Sequence, residues 1–581
     1  MKQHKALTGS VGPLISCQCG GAPVNKVPWG LGTACPTRIL PLLLLLTLPL
    51  VAHAQFNYKS SHGTITITKY TGTGGAVTIP STINGLPVTT IGTNAFASCV
   101  SLTSVTISNP VTTIGDYAFY SCTSLTSVAI PNSVTTIGND TFQGCTSLTS
   151  VTIPNSVSTI GTYAFYSCIS LTSVTIGNGV TFIGDSAFYS CTSLTSVMIG
   201  NSVTTIGQQA FCLCTSLASV TIPSNVSTIG NYDFEYCESL ASVTIGNGVS
   251  TIGISAFYSC NNLTSVTMGN SVSTIGAYAF DSCVSLITLT IPNSVTTIGN
   301  YAFASCVSLS SVTIPNSVTT IGGFAFSSCN NLASVTIGNS VIRINRAFVG
   351  CNSLLAIAVD INNPAYSSLN GVLFNKNQTT LVSFPAGAAG SYTIPNGVTA
   401  IGNYAFESCP RLASVIIPNS VTSIGTNAFA SCVSLTRVTI PNSVAIIANY
   451  AFSGCTSLTA VYFQGDTPSP SGSSVFGGDI NATIYYLPGT AGWAATFAGR
   501  PAKLWNPLIQ SSGPGFGVRT NGFGFNITGT TNIPILVEAC TSLASASWLS
   551  LKTCTLTNGS VYFSDPDWTD YSARFYRIRS P

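Results

Sequence analysis

Residues 147 to 169 read SLTSVTIPNSVSTIGTYAFYSCI, and the spacing of their apolar positions changes along the stretch. Ser150 to Ile153 alternates polar and apolar with β-branched side chains, the mark of a half-buried strand. Pro154-Asn155-Ser156 breaks that run. A second short β-type run, Val157 to Ile160, ends at Gly161, and Tyr163 to Cys168 has the spacing of one helical turn. The stretch therefore predicts strand, turn, short strand and helical turn in sequence.

The same pattern returns. Cysteines stand at Cys99, Cys122, Cys145, Cys168, Cys191, Cys214, Cys237, Cys260, Cys283, Cys306 and Cys329, each 23 residues after the last. Near copies run from about residue 77 to 455. Eleven units end at those cysteines, a 22-residue unit covers 330–351 and three more fill 387–455. A fixed period of this kind overrides a division into several globular domains. A unit this small cannot bury its apolar side alone and must stack on its neighbours. Leu148, Val151, Ile153, Val157, Ile160, Ala164, Phe165 and Cys168 should each lie above their counterparts. Phe96, Phe119, Phe142, Phe165 and Phe188 form the aromatic column. At about 4.8 Å per coil, fifteen coils would span roughly 70 Å.

Charged residues are only 6% of the chain, so hydroxyls must supply most of the solvated surface. No Lys or Arg occurs between Lys69 and Arg343, which removes the phosphate-neutralising groups that nucleic-acid binding needs. Ile39 to Val51 is a 13-residue apolar run followed by Ala52-His53-Ala54, a small-x-small site. Residues 1–54 are thus expected to be an N-terminal extension and cleaved secretory signal, with Cys17, Cys19 and Cys35 inside it. Removing Lys2, Lys5, Lys26 and Arg38 leaves 14 bases against 15 acids, a net charge of −1. The mature chain has no later run of about 18 apolar residues, so no transmembrane segment is expected.

The strand leucines, the Pro-x-Ser-Val turn, Ile-Gly and Ala-Phe-x-x-Cys resemble the BspA-like leucine-rich repeats. The resemblance implies a β-rich solenoid of parallel strands with a short helical turn per coil, in a surface or secreted protein engaged in adhesion. A lead-in and cap at 55–76 would precede a solenoid at 77–505. Within it, 352–386 is an atypical longer unit, marked by Asn362-Asn363-Pro364 and Gly371-Val372-Leu373-Phe374, and 456–505 is a degenerate cap. Residues 508–581 have short alternating strands between Gly/Asn/Pro turns and are expected to form a small all-β, sandwich-like module. Trp548 and Arg574-Phe575-Tyr576-Arg577 are similar to a carboxy-terminal module of many secreted bacterial proteins.

Candidate chemistry is sparse. The stacked cysteines point their Cβ bonds the same way, so they are expected to pack as thiols and not as disulfides. Cys212 breaks the register. Cys540 and Cys554 could form one disulfide in an oxidising compartment. Asp233, Glu235 and Glu238 form the one local carboxylate cluster, more simply read as compositional drift of one coil than as a glycosidase pair. His62, the sole histidine of the mature chain, lies in a polar lead-in loop. No catalytic residue, cofactor or metal is expected. The outward strand positions Ser150/Thr152, Ser173/Thr175, Ser219/Thr221 and Ser242/Thr244 form a two-column hydroxyl array. It is a solvated sheet first, then a face for a protein or glycan ligand, and least of all an ice-like lattice. Tyr117, Tyr163, Tyr278, Tyr301, Tyr404 and Tyr450 line the other edge as packing or as contact anchors. Sites should fall where the pattern breaks: 233–238, 343–346 or 360–386. The expectation is a secreted or surface binding protein, with a structural or glycan-binding envelope component as the alternative.

Overall fold

The computed structural model describes residues 55–470, 474–520, 522–544 and 547–579. The expected signal and Cys17, Cys19 and Cys35 lie outside them.

The repeats form a parallel β-solenoid. Strand Ser150–Ile153 pairs with Ser173–Ile176 residue for residue, Val151 facing Val174 and Ile153 facing Ile176. The second run, Thr159–Ile160, pairs in parallel with Phe182–Ile183. Period-two alternation turns Val151 and Ile153 into the core and leaves Ser150 and Thr152 in solvent.

The stretch expected to be a helical turn is not helical. Ala164 N donates to Gly161 O (3.3 Å) and Cys168 N to Phe165 O (3.3 Å), closing two reverse turns. Tyr163 and Ser167 take positive φ within them, 57° and 56°. The alternate N–H groups of Tyr163, Phe165 and Ser167 instead reach Asp185, Ala187 and Tyr189 carbonyls on the next coil, at 3.0, 2.8 and 2.8 Å. Backbone donors that a helix would satisfy internally thus build a third inter-coil ladder. Left-handed φ is costly with a Cβ, and Gly144, Gly350 and Gly454 fill the Ser167 position in three other coils, with φ of 71°, 74° and 75°. The sole helix among the described residues is a 3-10 turn at Pro566–Asp570.

Inside, phenylalanine rings stack in register: Phe142–Phe165 and Phe165–Phe188 both have centroids 5.1 Å apart. Beside them the thiols of Cys168 and Cys191 donate to the carbonyls of Phe142 (3.2 Å) and Phe165 (3.3 Å) in the preceding coil. Burial pushes these thiols up, Cys191 to about 12, so they remain protonated donors. Every cysteine of the column is free. Asparagines stitch the turns: Thr162 N donates to Asn139 Oδ1 (2.9 Å) and Asn178 N to Asn155 Oδ1 (2.7 Å).

At the irregular unit the regular stacking stops. Strand Ala356–Val359 still pairs with Ser334–Ile337, but Tyr366–Leu369, Val372–Asn375 and Thr380–Ser383 then form an antiparallel meander. The apolar core divides here, one cluster reaching Leu373 and the next starting at Val372. Buried Asn363 closes the seam, donating to Gly338 O (2.8 Å) and Val341 O (3.0 Å) and accepting from Ala365 N and Tyr366 N.

Beyond Arg500–Leu504, two antiparallel sheets enclose Phe525, Ile527, Ile535, Val537 and Phe563. Tyr462 and Tyr485 of the last coils belong to the same cluster, and Trp505 Nε1 donates to Pro534 O (3.1 Å). Two carboxylates are buried here. Asp565 pairs with Arg574 at 2.9 Å and accepts from Tyr576 Oη at 2.8 Å, and Glu538 pairs with Arg577 and Arg579 at 2.7 and 2.9 Å. The Cys540–Cys554 disulfide that the sequence allows is not formed. Both cysteines are free; Cys554 faces Ile535, five residues before Cys540 on the paired strand. At about 3.4 Å per residue that offset exceeds disulfide reach.

Candidate functional site: the strand face

The side chains of Ser150, Thr152, Ser173, Thr175, Ser219, Thr221, Ser242 and Thr244 are all exposed. Strand pairing puts Ser150 beside Ser173, Thr152 beside Thr175, Ser219 beside Ser242 and Thr221 beside Thr244. Neighbouring hydroxyl columns behave differently. Thr149 and Thr172 donate to Thr126 O (3.2 Å) and Thr149 O (3.0 Å), and Ser158 donates to Thr135 O (3.3 Å). Those hydroxyls are spent along the axis. Among the described residues, the eight strand-face hydroxyls have no side-chain hydrogen-bond partner within the chain. Their donors and acceptors face outward. Ala129 and Met198 interrupt the array, and Met198 is 68% exposed.

Two grooves lie along this face against the Pro-Asn turns. A groove of about 510 Å³ is lined by Ser127, Ser150, Thr152, Asn155 and Thr175. A larger one, about 970 Å³, is lined by Leu289, Thr290, Ser311, Thr313, Thr336 and Asp360. It forms where the strand ladder fails. No described strand in coil 287–291 joins Ser265–Thr267 to Ser311–Ile314, and the sheet restarts at Ser311. In that coil Ile287 and Leu289 replace the usual Thr and Val, and Ile287 is left 52% exposed. This groove was missed from sequence apart from its end at Asp360, although those two substitutions were the available signal.

The carboxylate cluster does not converge. Asp233 is buried in the core, where Oδ2 accepts from Gly230 N (2.7 Å), and burial raises it well above the usual carboxylate range. Glu235 is half-exposed on the turn edge, where Oε2 accepts from the Cys212 thiol at 3.7 Å, and Glu238 is exposed. Burial pushes the Cys212 thiol up to about 12, which makes it a poor nucleophile. His62 sits in the hairpin turn after Phe56–Ser61, with Nδ1 2.8 Å from Ser61 Oγ. Among the described residues, no three His, Cys, Asp or Glu side chains are grouped to hold a metal ion.

On the turn edge Tyr278 stacks on Tyr301, which stacks on Phe324, at 4.8 Å in each case. Arg346 continues that column across the seam. Its guanidinium lies 4.2 Å from the Phe324 centroid and 3.7 Å from that of Tyr404. Arg346 Nη2 and Nε bond Glu407 at 2.7 and 3.1 Å. The sequence marked 343–346 as a break, but Glu407, 61 residues away, was not legible as the partner.

Coils stacked through parallel strands, with apolar, aromatic and thiol columns inside, define a leucine-rich-repeat solenoid protein. The chain belongs to the BspA type leucine rich repeat region family, whose model matches residues 89–208, 135–264, 181–309, 228–355, 273–389 and 383–488. Among solved structures it is similar to a leucine-rich repeat protein from Bacteroides ovatus, with 25% identity, covering 78% of this chain and 98% of that one, at a TM-score of 0.42. It is also similar to a leucine rich cell surface protein from Faecalibacterium prausnitzii, with 25% identity, 74% and 93% coverage and a TM-score of 0.29. A leucine-rich repeat protein of T. pallidum shares 33% identity over 36% of this chain and 88% of its own, with a TM-score of 0.28. No curated protein matches the chain. Among the described residues no helix is long and apolar enough to cross a membrane.

Proposed function

We propose that this protein is an exported, surface-associated binding protein that presents its strand face to a protein on a cell or matrix surface. The observation that carries the reading is the pair of hydroxyl columns, exposed and without internal partners, which line a groove of about 510 Å³ at Ser150, Thr152 and Thr175 and reappear at Ser311, Thr313 and Thr336 in the groove of about 970 Å³. Such a face offers directional donors and acceptors at fixed spacing, and it keeps its solubility without charge. A repetitive solenoid supplies long surfaces of this kind. Membership in the BspA type family supports interaction in preference to catalysis. The dispersal of Asp233, Glu235 and Glu238 supports the same preference.

A structural or glycan-binding envelope role is the second reading, favoured by the near-identity of the coils. Arrayed matrix proteins and neutral glycans, probed with the mature chain and with Thr313→Lys/Thr336→Lys, separate the two. Adhesion predicts retention on a protein that the double variant loses. The envelope reading predicts retention on glycans alone, and binding unaffected by the double variant contradicts the placement of the site.

A further inference from the structure

The turn edge differs in charge from the strand face. Every acidic residue between Lys69 and Arg343, from Asp116 to Asp281, lies on or next to the reverse-turn segments, and no base accompanies them. The tyrosines share that edge, and Tyr117, Tyr163 and Tyr278 are exposed. Aromatic faces and carboxylates on an otherwise uncharged solenoid both favour a cation.

The chain itself shows what such an edge can hold. Arg346 occupies the column position that Tyr163, Tyr278 and Phe324 take in other coils. It is sandwiched between Phe324 and Tyr404, at 4.2 and 3.7 Å, and bonded by Glu407. A ring, a cation and a ring two positions apart therefore fit this column when a carboxylate stands beside them. One run of the column, Tyr278, Tyr301 and Phe324, is stacked ring on ring, so those rings hide each other's faces. Three places set a short residue between rings on alternate coils: Asp140 between Tyr117 and Tyr163, Ser255 between Tyr232 and Tyr278, and Asn427 between Tyr404 and Tyr450. Asp140 and Ser255 are nearly buried, whereas at the third place the neighbouring Glu407 is already bonded to Arg346. Each of the first two leaves rings on alternate coils with only a short side chain between them. Asp140 places a carboxylate at the base of the first gap, close enough to Tyr117 to push that phenol up. On the adjacent column Glu235 and Asp281 stand in the same coils as Tyr232 and Tyr278, Glu235 accepting from the Cys212 thiol and Asp281 from Ser282 Oγ.

We infer that the turn edge is a second interaction surface, for an arginine-bearing basic polypeptide whose guanidinium groups enter the Tyr117/Tyr163 and Tyr232/Tyr278 gaps as Arg346 enters its own. The gaps lie five coils apart, about 24 Å at about 4.8 Å per coil, so one extended partner segment of about eight residues spans both. A planar guanidinium stacks between rings and forms a forked bond to a carboxylate, whereas an ammonium does neither as well. The surface therefore prefers arginine to lysine.

The test is fluorescence anisotropy of labelled octa-arginine and octa-lysine peptides titrated with the full mature chain at low salt. The expected result is octa-arginine binding at least about fivefold tighter than octa-lysine. It should weaken about tenfold in the variant Tyr163→Ser/Tyr278→Ser, which removes one ring from each gap. Serine stands at this column position, with the same positive φ, at Ser186 and Ser255, so the variant keeps a backbone the fold already uses. Asp140→Asn is the second variant; Asn94 and Asn427 hold that position elsewhere, and it should weaken octa-arginine alone by a smaller factor. Absence of octa-arginine binding, equal binding of the two peptides, or affinity unchanged in both variants would overturn the inference.

Discussion

The coils of the solenoid and the carboxy-terminal module solve the same problem by opposite means. Coils 147–169 and their neighbours carry almost no charge. Their core thiols and turn asparagines meet partners one coil away, thiol to phenylalanine carbonyl and asparagine side chain to backbone N–H. The module has few layers to share the burden. It buries Asp565 against Arg574 and Tyr576, and Glu538 against Arg577 and Arg579. Repetition makes charge unnecessary because every coil is a template for the next. A small unrepeated sandwich uses ion pairs to hold its strand order, and a buried pair is costly to break on one side only.

The contrast can be broken from either side. Phe211→Ala opens a hole in the aromatic column, where Phe188 and Phe234 stack at 5.2 and 5.4 Å. It should cost about 3–5 kcal/mol in urea unfolding, and hydrogen exchange should rise in the flanking coils while the module stays protected. Arg574→Ala strands Asp565 in the module, where side-chain exposures are 7% and 3%. A loss of about 3 kcal/mol is expected there, read from tryptophan fluorescence at Trp505, Trp548 and Trp568 with the coils intact.

A smaller, pH-dependent effect lies between the two regions. Asp479 takes the place of the column cysteine in the last degenerate coil, and its carboxyl oxygens are buried without hydrogen-bond partners. Burial raises it to about 7. Because the folded state favours the neutral acid, stability is greatest below about pH 4, near the unfolded value. It falls as pH rises through about 7. The difference in Tm between wild type and Asp479→Asn should grow in the variant's favour across that window. A difference that stays constant with pH would refute the assignment.

Much of the solenoid was legible because its period repeats each clue many times. Ser150 to Ile153 announces which residues face the core, and Phe165 and Cys168 recur in fixed register. The turn segment misled because Tyr163 to Cys168 has helical apolar spacing, yet its backbone donors alternate between the coil itself and the next one. Spacing along one coil cannot show a bond to another. The same limit hid the Arg346–Glu407 pair, which forms across an insertion, and the groove at Leu289, which depends on a strand that fails to pair. Cys540 and Cys554 invited a disulfide because two cysteines in one small module look like partners. Strand register sets them apart.

The central claim is that the uncharged strand face, held rigid by stacking, is where the protein binds. The most direct measurement compares the chain from residue 55 onward with its Thr152→Lys/Thr175→Lys/Thr221→Lys/Thr244→Lys variant for retention on arrayed cell-surface and matrix ligands, with circular dichroism and octa-arginine binding as controls. The account predicts that retention is lost while the spectrum and peptide affinity are unchanged or, for the peptide, only slightly reduced by the added charge. Undiminished retention by the lysine variant would contradict it.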